Sequence, residues 1–215
     1  MNKIVSYYKP YSLHVGTMFV DPEFQYLEEK LVSTTLNITG ARDHAPEVER
    51  QIQVIKKRMR THHSNLPLPS FIRRMKIELA KDVVMFLNEL PPNSGLSKTY
   101  IPCTKMTGKV FDRKTSCKLH FGYYTQGNED RNLTNKLEDR TQGAISLRPT
   151  DNLQGTFNLF LLRSGKKITC GQFTAVPNPT IATKRAAAMA SAEKQNEELI
   201  FENRTGAAVK KYSAR

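Results

Sequence analysis

Apolar positions recur with two different periods along this chain, and the change of period divides it. Val48, Ile52, Ile55 and Met59 stand at i, i+4, i+7 and i+11, one stripe of an amphipathic helix. Glu49, Gln53, Lys56 and Arg60 repeat that spacing on another face, so a column headed by a carboxylate ends in cations. Pro46 at the first helical position, with Glu in the first turn, is ordinary helix-start chemistry as well. Pro67 and Pro69 separate this helix from a second, with Ser70 as N-cap and Ile72, Met75, Leu79, Val83, Phe86 and Leu90 as the buried stripe before Pro91-Pro92. Upstream, the run from Leu13 to Val20 reads as a strand ending at Asp21-Pro22-Glu23-Phe24. Tyr26 to Val32 reads as a short helix with Leu27 and Leu31 inward, and Thr34 to Thr39 as a second strand. The order is strand ending in Asp, helix, strand, helix opening with Glu. Such an order can bring the two carboxylates to one sheet edge, as two-metal phosphoryl-transfer sites require.

Past Pro92 the helical period disappears. Residues 93–115 mix Gly, Pro, Ser, Thr and Lys without regular spacing, the composition of a linker. Then Leu119, Phe121 and Tyr123 alternate, Ala144 to Leu147 forms a short apolar run, and Phe157, Leu159 and Leu161 alternate again. Ser164-Gly165 turns the chain into Lys166 to Cys170. Strands this short predict a small antiparallel β-barrel-like domain over 116–177. Arg140, Arg148, Arg163, Lys166 and Lys167 would clothe it, as binding groups or as plain solubilising surface. From Thr180 the chain is rich in Ala, Lys and Glu with few large apolar residues, so 178–215 reads as a charged tail, with a helix over Ala182 to Glu198 as the alternative.

Charge adds a class of partner. The 33 Lys and Arg against 20 Asp and Glu give a formal charge of +13, which favours polyanions through counterion release without distinguishing DNA from RNA. Cations crowd the first long helix at Arg50, Lys56, Lys57, Arg58 and Arg60, and continue at Arg73, Arg74 and Lys76. A solvated basic face accounts for the same pattern. The 215 residues, 39% hydrophobic, suffice for one or two domains with a core. No apolar run approaches the roughly 20 residues of a bilayer span, and no signal-like segment opens the chain. The expected setting is intracellular, nuclear or cytoplasmic, with no membrane partner. Cys103, Cys117 and Cys170 form no CxxC pair, and His62-His63 lacks a cysteine pair at finger spacing, which argues against a disulfide frame or a zinc site.

Specific stretches carry a resemblance. Val20-Asp21-Pro22-Glu23-Phe24, Leu36-Asn37-Ile38-Thr39 and His44-Ala45-Pro46-Glu47-Val48-Glu49-Arg50-Gln51-Ile52 resemble the back half of the integrase core of copia-type retrotransposons. Arg140 to Thr150, Gln154-Gly155 and Ser164 to Ile168 resemble the region that follows that core in the same polyproteins. The resemblance implies an α/β (α+β) chain: part of an RNase H-like core with a helical extension over 1–92, a linker, and the small β domain. It also implies metal-dependent polynucleotidyl transfer in DNA integration, with Mg2+ or Mn2+ held by an Asp, Asp, Glu set. Asp21 and Glu49 take the second and third of these catalytic, metal-binding places. Gln53, Lys56, Lys57 and Arg60, with Arg163, Lys166 and Lys167, would lie along DNA, and a homo-oligomer is a further expectation. The family's Asp-Asn-Gly-x-Glu-Phe pattern is shortened here to Asp21-Pro22-Glu23-Phe24, and its Pro-x-x-Asn-Gly approach is replaced by His44-Ala45-Pro46-Glu47, so Glu23 and Glu47 compete for the two roles. The family's first catalytic Asp lies well before the matching segment, while this chain begins about twenty residues before Asp21. The implied state is a catalytically incomplete fragment, and the alternatives are a non-catalytic nucleic-acid-binding module or a functionless retroelement remnant.

Overall fold

The computed structural model describes residues 6, 8–31, 34–38, 40, 46–68, 70–90, 101–128, 140–152, 154–195, 197, 199–202 and 206–209. Strands β1 (Thr17–Val20) and β2 (Thr35–Ile38) pair in parallel, with Val20 opposite Ile38. The connection between them, Pro22–Lys30, is a 3-10 helix with no buried residue, where the sequence predicts a short helix over Tyr26 to Val32 with Leu27 and Leu31 inward. Phe24 and Leu27 stand three apart, the interval that a 3-10 helix aligns on one edge. Helix α1 (Pro46–Asn65) packs against α2 (Arg73–Glu89).

In α2 the expected stripe is buried at Ile72, Met75, Leu79 and Val83. Its start differs from expectation. Ile72, not Ser70, is the N-cap, and it lends no side-chain bond. The backbone N–H of Arg73 instead donates to Glu193 Oε2 at 2.7 Å, so a carboxylate 120 positions away meets one of the orphan donors at this helix end. The expected linker holds two short helices, α3 (Pro102–Thr107) and α4 (Arg113–Ser116), with residues 93–100 outside the described residues. Phe111 between them meets Phe86 of α2 edge-on at 6.1 Å.

Strands β3 (Tyr124–Asn128), β4 (Thr141–Pro149), β5 (Phe157–Leu161), β6 (Lys167–Cys170) and β7 (Phe173–Ala175) form one antiparallel sheet in the order β6-β5-β4-β3-β7. Only Gly171 and Gln172 join its two outermost strands. Each residue spans at most ~3.6 Å, so the sheet has to curl until those strands meet at a corner. Asn128 N–H donates to Gln172 O at 3.1 Å, and the Cys170 thiol donates to Asn128 O at 3.2 Å, which holds the corner.

The curl makes two apolar faces from one sheet. Inside lie Leu119, Ala144, Phe157, Leu159, Leu161 and Cys170, with Ile168 and Phe173 packed on them. Outside, Ile145, Leu147, Phe160 and Leu162 meet the stripe of α2 and Ala182, Ala186 and Met189 of α5 (Thr180–Lys194). Alternate residues of β5 feed the two clusters, which is why all of its positions are buried.

Three sequence-based expectations change accordingly. The boundary between 1–92 and 116–177 does not separate two cores, because α2 and the sheet share one cluster. In the segment from 178 the helical alternative replaces the tail: α5 is packed, and β8 (Phe201–Glu202), paired with β9 (Ala208–Val209), buries Phe201 among the described residues. Alanine conceals this, since small residues let a helix approach closely without the large side chains by which packing is recognised. Finally, the alternation at Leu119, Phe121 and Tyr123 precedes β3 and belongs to a turn.

The packing of Phe201 has a direct test. Gly165 has φ +64, and a Cβ there would overlap the Phe201 ring. Gly165→Ala is expected to cost about 1–3 kcal/mol in urea denaturation, from strain and overpacking together. An unchanged midpoint would mean that Phe201 does not sit over this turn.

Candidate nucleic-acid interface

Helix α1 touches the core with only part of its stripe. Ile55 and Met59 pack against the outer cluster, while Val48 and Ile52 are 50% and 45% exposed. Arg50, Gln53, Lys56, Lys57, Arg58 and Arg60 are all exposed. Among the described residues none of these five cations pairs with a carboxylate. Their unneutralised charge is therefore presented to solvent along one element.

The cations of the sheet are differently placed. Arg148 Nε donates to Glu78 Oε2 at 3.1 Å, and Lys167 Nζ and Lys81 Nζ donate to Glu78 Oε1 at 3.2 and 3.1 Å. Glu78 lies on α2 and is buried, so this cluster ties α2 to β4 and β6. Burial raises the Glu78 pKa, but the bonds from Lys81, Lys167 and Arg148 and the charge of Lys167 outweigh it and hold the carboxyl below its ordinary value. Arg163 pairs with Glu202 at 3.2 Å, both about half exposed. Arg74 donates to Gly165 O at 3.3 Å and Arg185 Nε to Leu162 O at 2.7 Å. Of the three β-domain residues expected along DNA, Lys167 and Arg163 thus have structural partners, and Lys166 is exposed.

One turn along α2, Asp82 is 3% exposed, and burial pushes its pKa from 3.8 up to about 7 against the pull of Arg148. Sequence reasoning passed over Glu78, Asp82 and Glu89, all buried. The available signal was their i, i+4, i+11 spacing, a second helical stripe beside the apolar one.

A ring cluster lies at the other end of α1. His63 meets Phe71 at 5.0 Å between ring centres, and His120 meets Tyr123 at 5.4 Å with the planes tilted by 59°. Burial, then the charges of Arg58 and His120, hold the His62 pKa below its usual value. These rings are close in space yet come from separate segments, so no sequence window contains them.

The carboxylates of the resemblance lie elsewhere. Asp21 follows β1 and is exposed, its carbonyl accepting the Phe24 N–H at 2.9 Å as the 3-10 helix begins. Glu23 is exposed within that helix, and Glu49 is exposed in the first turn of α1. His44, Ala45 and the Glu47 side chain lie outside the described residues. Because β1 and β2 are parallel with Val20 opposite Ile38, Asp21 follows β1 at the end of the sheet where β2 also finishes. Among the described residues no three His, Cys, Asp or Glu are grouped to hold a metal ion. No helix among the described residues is long and apolar enough to cross a membrane. Comparison with protein-family models and with curated proteins returns no match.

The buried acids have opposite pH signatures. Glu78, depressed in the fold, contributes stability above its unfolded value near 4.5 that is lost as pH falls. Asp82, raised in the fold, contributes stability below 3.8 that is lost as pH rises toward about 7. Asp82→Asn removes the second effect only. Its melting temperature should exceed the parent's by at least ~2–4 °C at pH 8, the equivalent of about 1 kcal/mol in a chain of this size, and by less at pH 4. An equal shift at both values would show that burial does not raise the Asp82 pKa in the fold.

Proposed function

We propose that this chain is a nucleic-acid-binding module related to retrotransposon integrases, which holds the sugar-phosphate backbone along α1. The observation that carries this reading is the row of exposed cations, Arg50, Lys56, Lys57, Arg58 and Arg60, without carboxylate partners among the described residues. Binding through such a row displaces condensed counterions and is insensitive to sequence. The curled sheet supplies a stiff barrel-like support, and its own cations are mostly engaged in holding it together. DNA is the partner that the resemblance favours.

A second reading, that of an integrase fragment, has one observation in its favour. Parallel pairing of β1 and β2 puts Asp21 at the sheet end where β2 also finishes, the arrangement that part of an RNase H-like core would need. In this reading the first Asp, and with it the full Mg2+ or Mn2+ set, comes from elsewhere. The purified chain is then expected to give no strand transfer with either ion, whereas a chimera with a related element's first half gains activity that Glu49→Gln removes. A folded but inactive chimera would leave binding as the whole function.

The binding reading predicts salt-sensitive association in fluorescence anisotropy, with log K falling linearly against log salt. Lys56→Glu combined with Arg60→Glu should flatten that slope by about 2 or more, close to one unit per lost phosphate contact, and weaken binding to all sequences alike. Unchanged affinity in the double variant would remove α1 as the contact face. No binding by the parent at low salt would end the reading.

A further inference from the structure

The turn His120-Phe121-Gly122-Tyr123 is built more rigidly than a connection between elements requires. Its apolar neighbours enter different clusters: Leu119 is 6% exposed inside the curl and Phe121 5% exposed outside it. Ser146 of β4 then grips the backbone from several sides. Its hydroxyl donates to His120 O in a short bond and accepts the Tyr123 N–H at 3.1 Å. Its N–H donates to Tyr123 O and its carbonyl accepts the Gly122 N–H, both at 2.8 Å. Gly122 has φ +83, and a Cβ there would run into Leu66, so the turn has no room for a side chain at that point.

What this frame displays is a pair of rings. His120 is exposed, and Tyr123 is 44% exposed with its ring leaning on the imidazole. A half-exposed tyrosine held by its own backbone loses little freedom when something flat lands on it. The turn lies against the C-terminal end of α1: Leu66, just past that helix, sits over Gly122, and Phe71 meets both Phe121 at 6.4 Å and His63 of α1 at 5.0 Å, so the rings adjoin the end of the helix that carries Arg58 and Arg60.

Resting on the nucleic-acid reading, we propose that His120 and Tyr123 form a stacking platform for an unpaired base, so that the ligand is single-stranded nucleic acid whose backbone runs along α1. The pairing of functions is physical. Cations hold phosphates of any strand, but a ring reaches the face of a base only where the base is not stacked inside a duplex. Every base has a π-face, so a contact made through stacking on a ring tolerates any sequence.

The test compares a short oligodeoxyadenylate carrying one 2-aminopurine with a duplex of equal length, using the full chain in fluorescence anisotropy. The parent is expected to bind the single strand more tightly and to alter the 2-aminopurine emission. Tyr123→Ala should weaken single-strand binding about tenfold, the size of one lost base stack, and leave both the salt slope and duplex affinity unchanged. Tyr123→Phe should restore it, and His120→Ala should weaken it in the same sense. A melting curve equal to the parent's marks each variant as folded, and the emission change in the parent reads stacking without any substitution. Equal affinity for single strand and duplex, or a Tyr123→Ala variant that binds the single strand as well as the parent does, would overturn the platform while leaving the binding reading intact. No salt-dependent binding to either ligand would overturn both.

Discussion

Two residues between β6 and β7 set the terms for the rest of the molecule. Because Gly171 and Gln172 must bridge the two outermost strands, the sheet cannot lie open, and curling gives every central strand a concave and a convex face. Both faces then need apolar cover. The concave side is filled by the sheet's own residues, whereas the convex side depends on α2, α5 and Phe201. Helices from the middle and last thirds of the chain are thereby recruited to one core. Helix α1 leans on that core through Ile55 and Met59 and leaves its basic surface outside.

Much of this was legible in the pattern of residues. The stripe through Met75, Leu79 and Val83 marks α2, the alternation through Phe157, Leu159 and Leu161 marks β5, and the cations of α1 are exposed as a charge row should be. Local signals failed where a distant partner decides the outcome. Ser70 has cap chemistry, but Glu193 lies close enough to take the Arg73 N–H. Ala182 and Ala186 look too small for a core, yet their size is what allows α5 to come close. Lys167 and Arg163 read as binding surface, and only folding reveals that Glu78 and Glu202 hold them. Asp21 and Glu49 were read from the resemblance, and the structure places them on exposed surface.

The strongly basic composition also acquires a division of labour. One buried acid, Glu78, gathers Lys81, Arg148 and Lys167 from a helix and two strands, so part of the positive charge is spent internally. Removing either side of such a cluster strands the other without compensation. Of what remains outside, five cations stand exposed on α1, where they can act on a ligand.

The bond from the Arg73 N–H to Glu193 bears on how the chain comes off the ribosome. Arg73 and Arg74 place positive charge at the positive end of a helix dipole, an arrangement that resists its own first turn. Synthesis runs from the N-terminus, so α2 emerges well before the carboxylate that offsets this repulsion. The nascent helix therefore starts weakly and gains its counter-charge only 120 residues later, along with the Ala-rich surface that covers the sheet. Contacts spanning so much sequence slow folding and postpone commitment to the native core until α5 has been made.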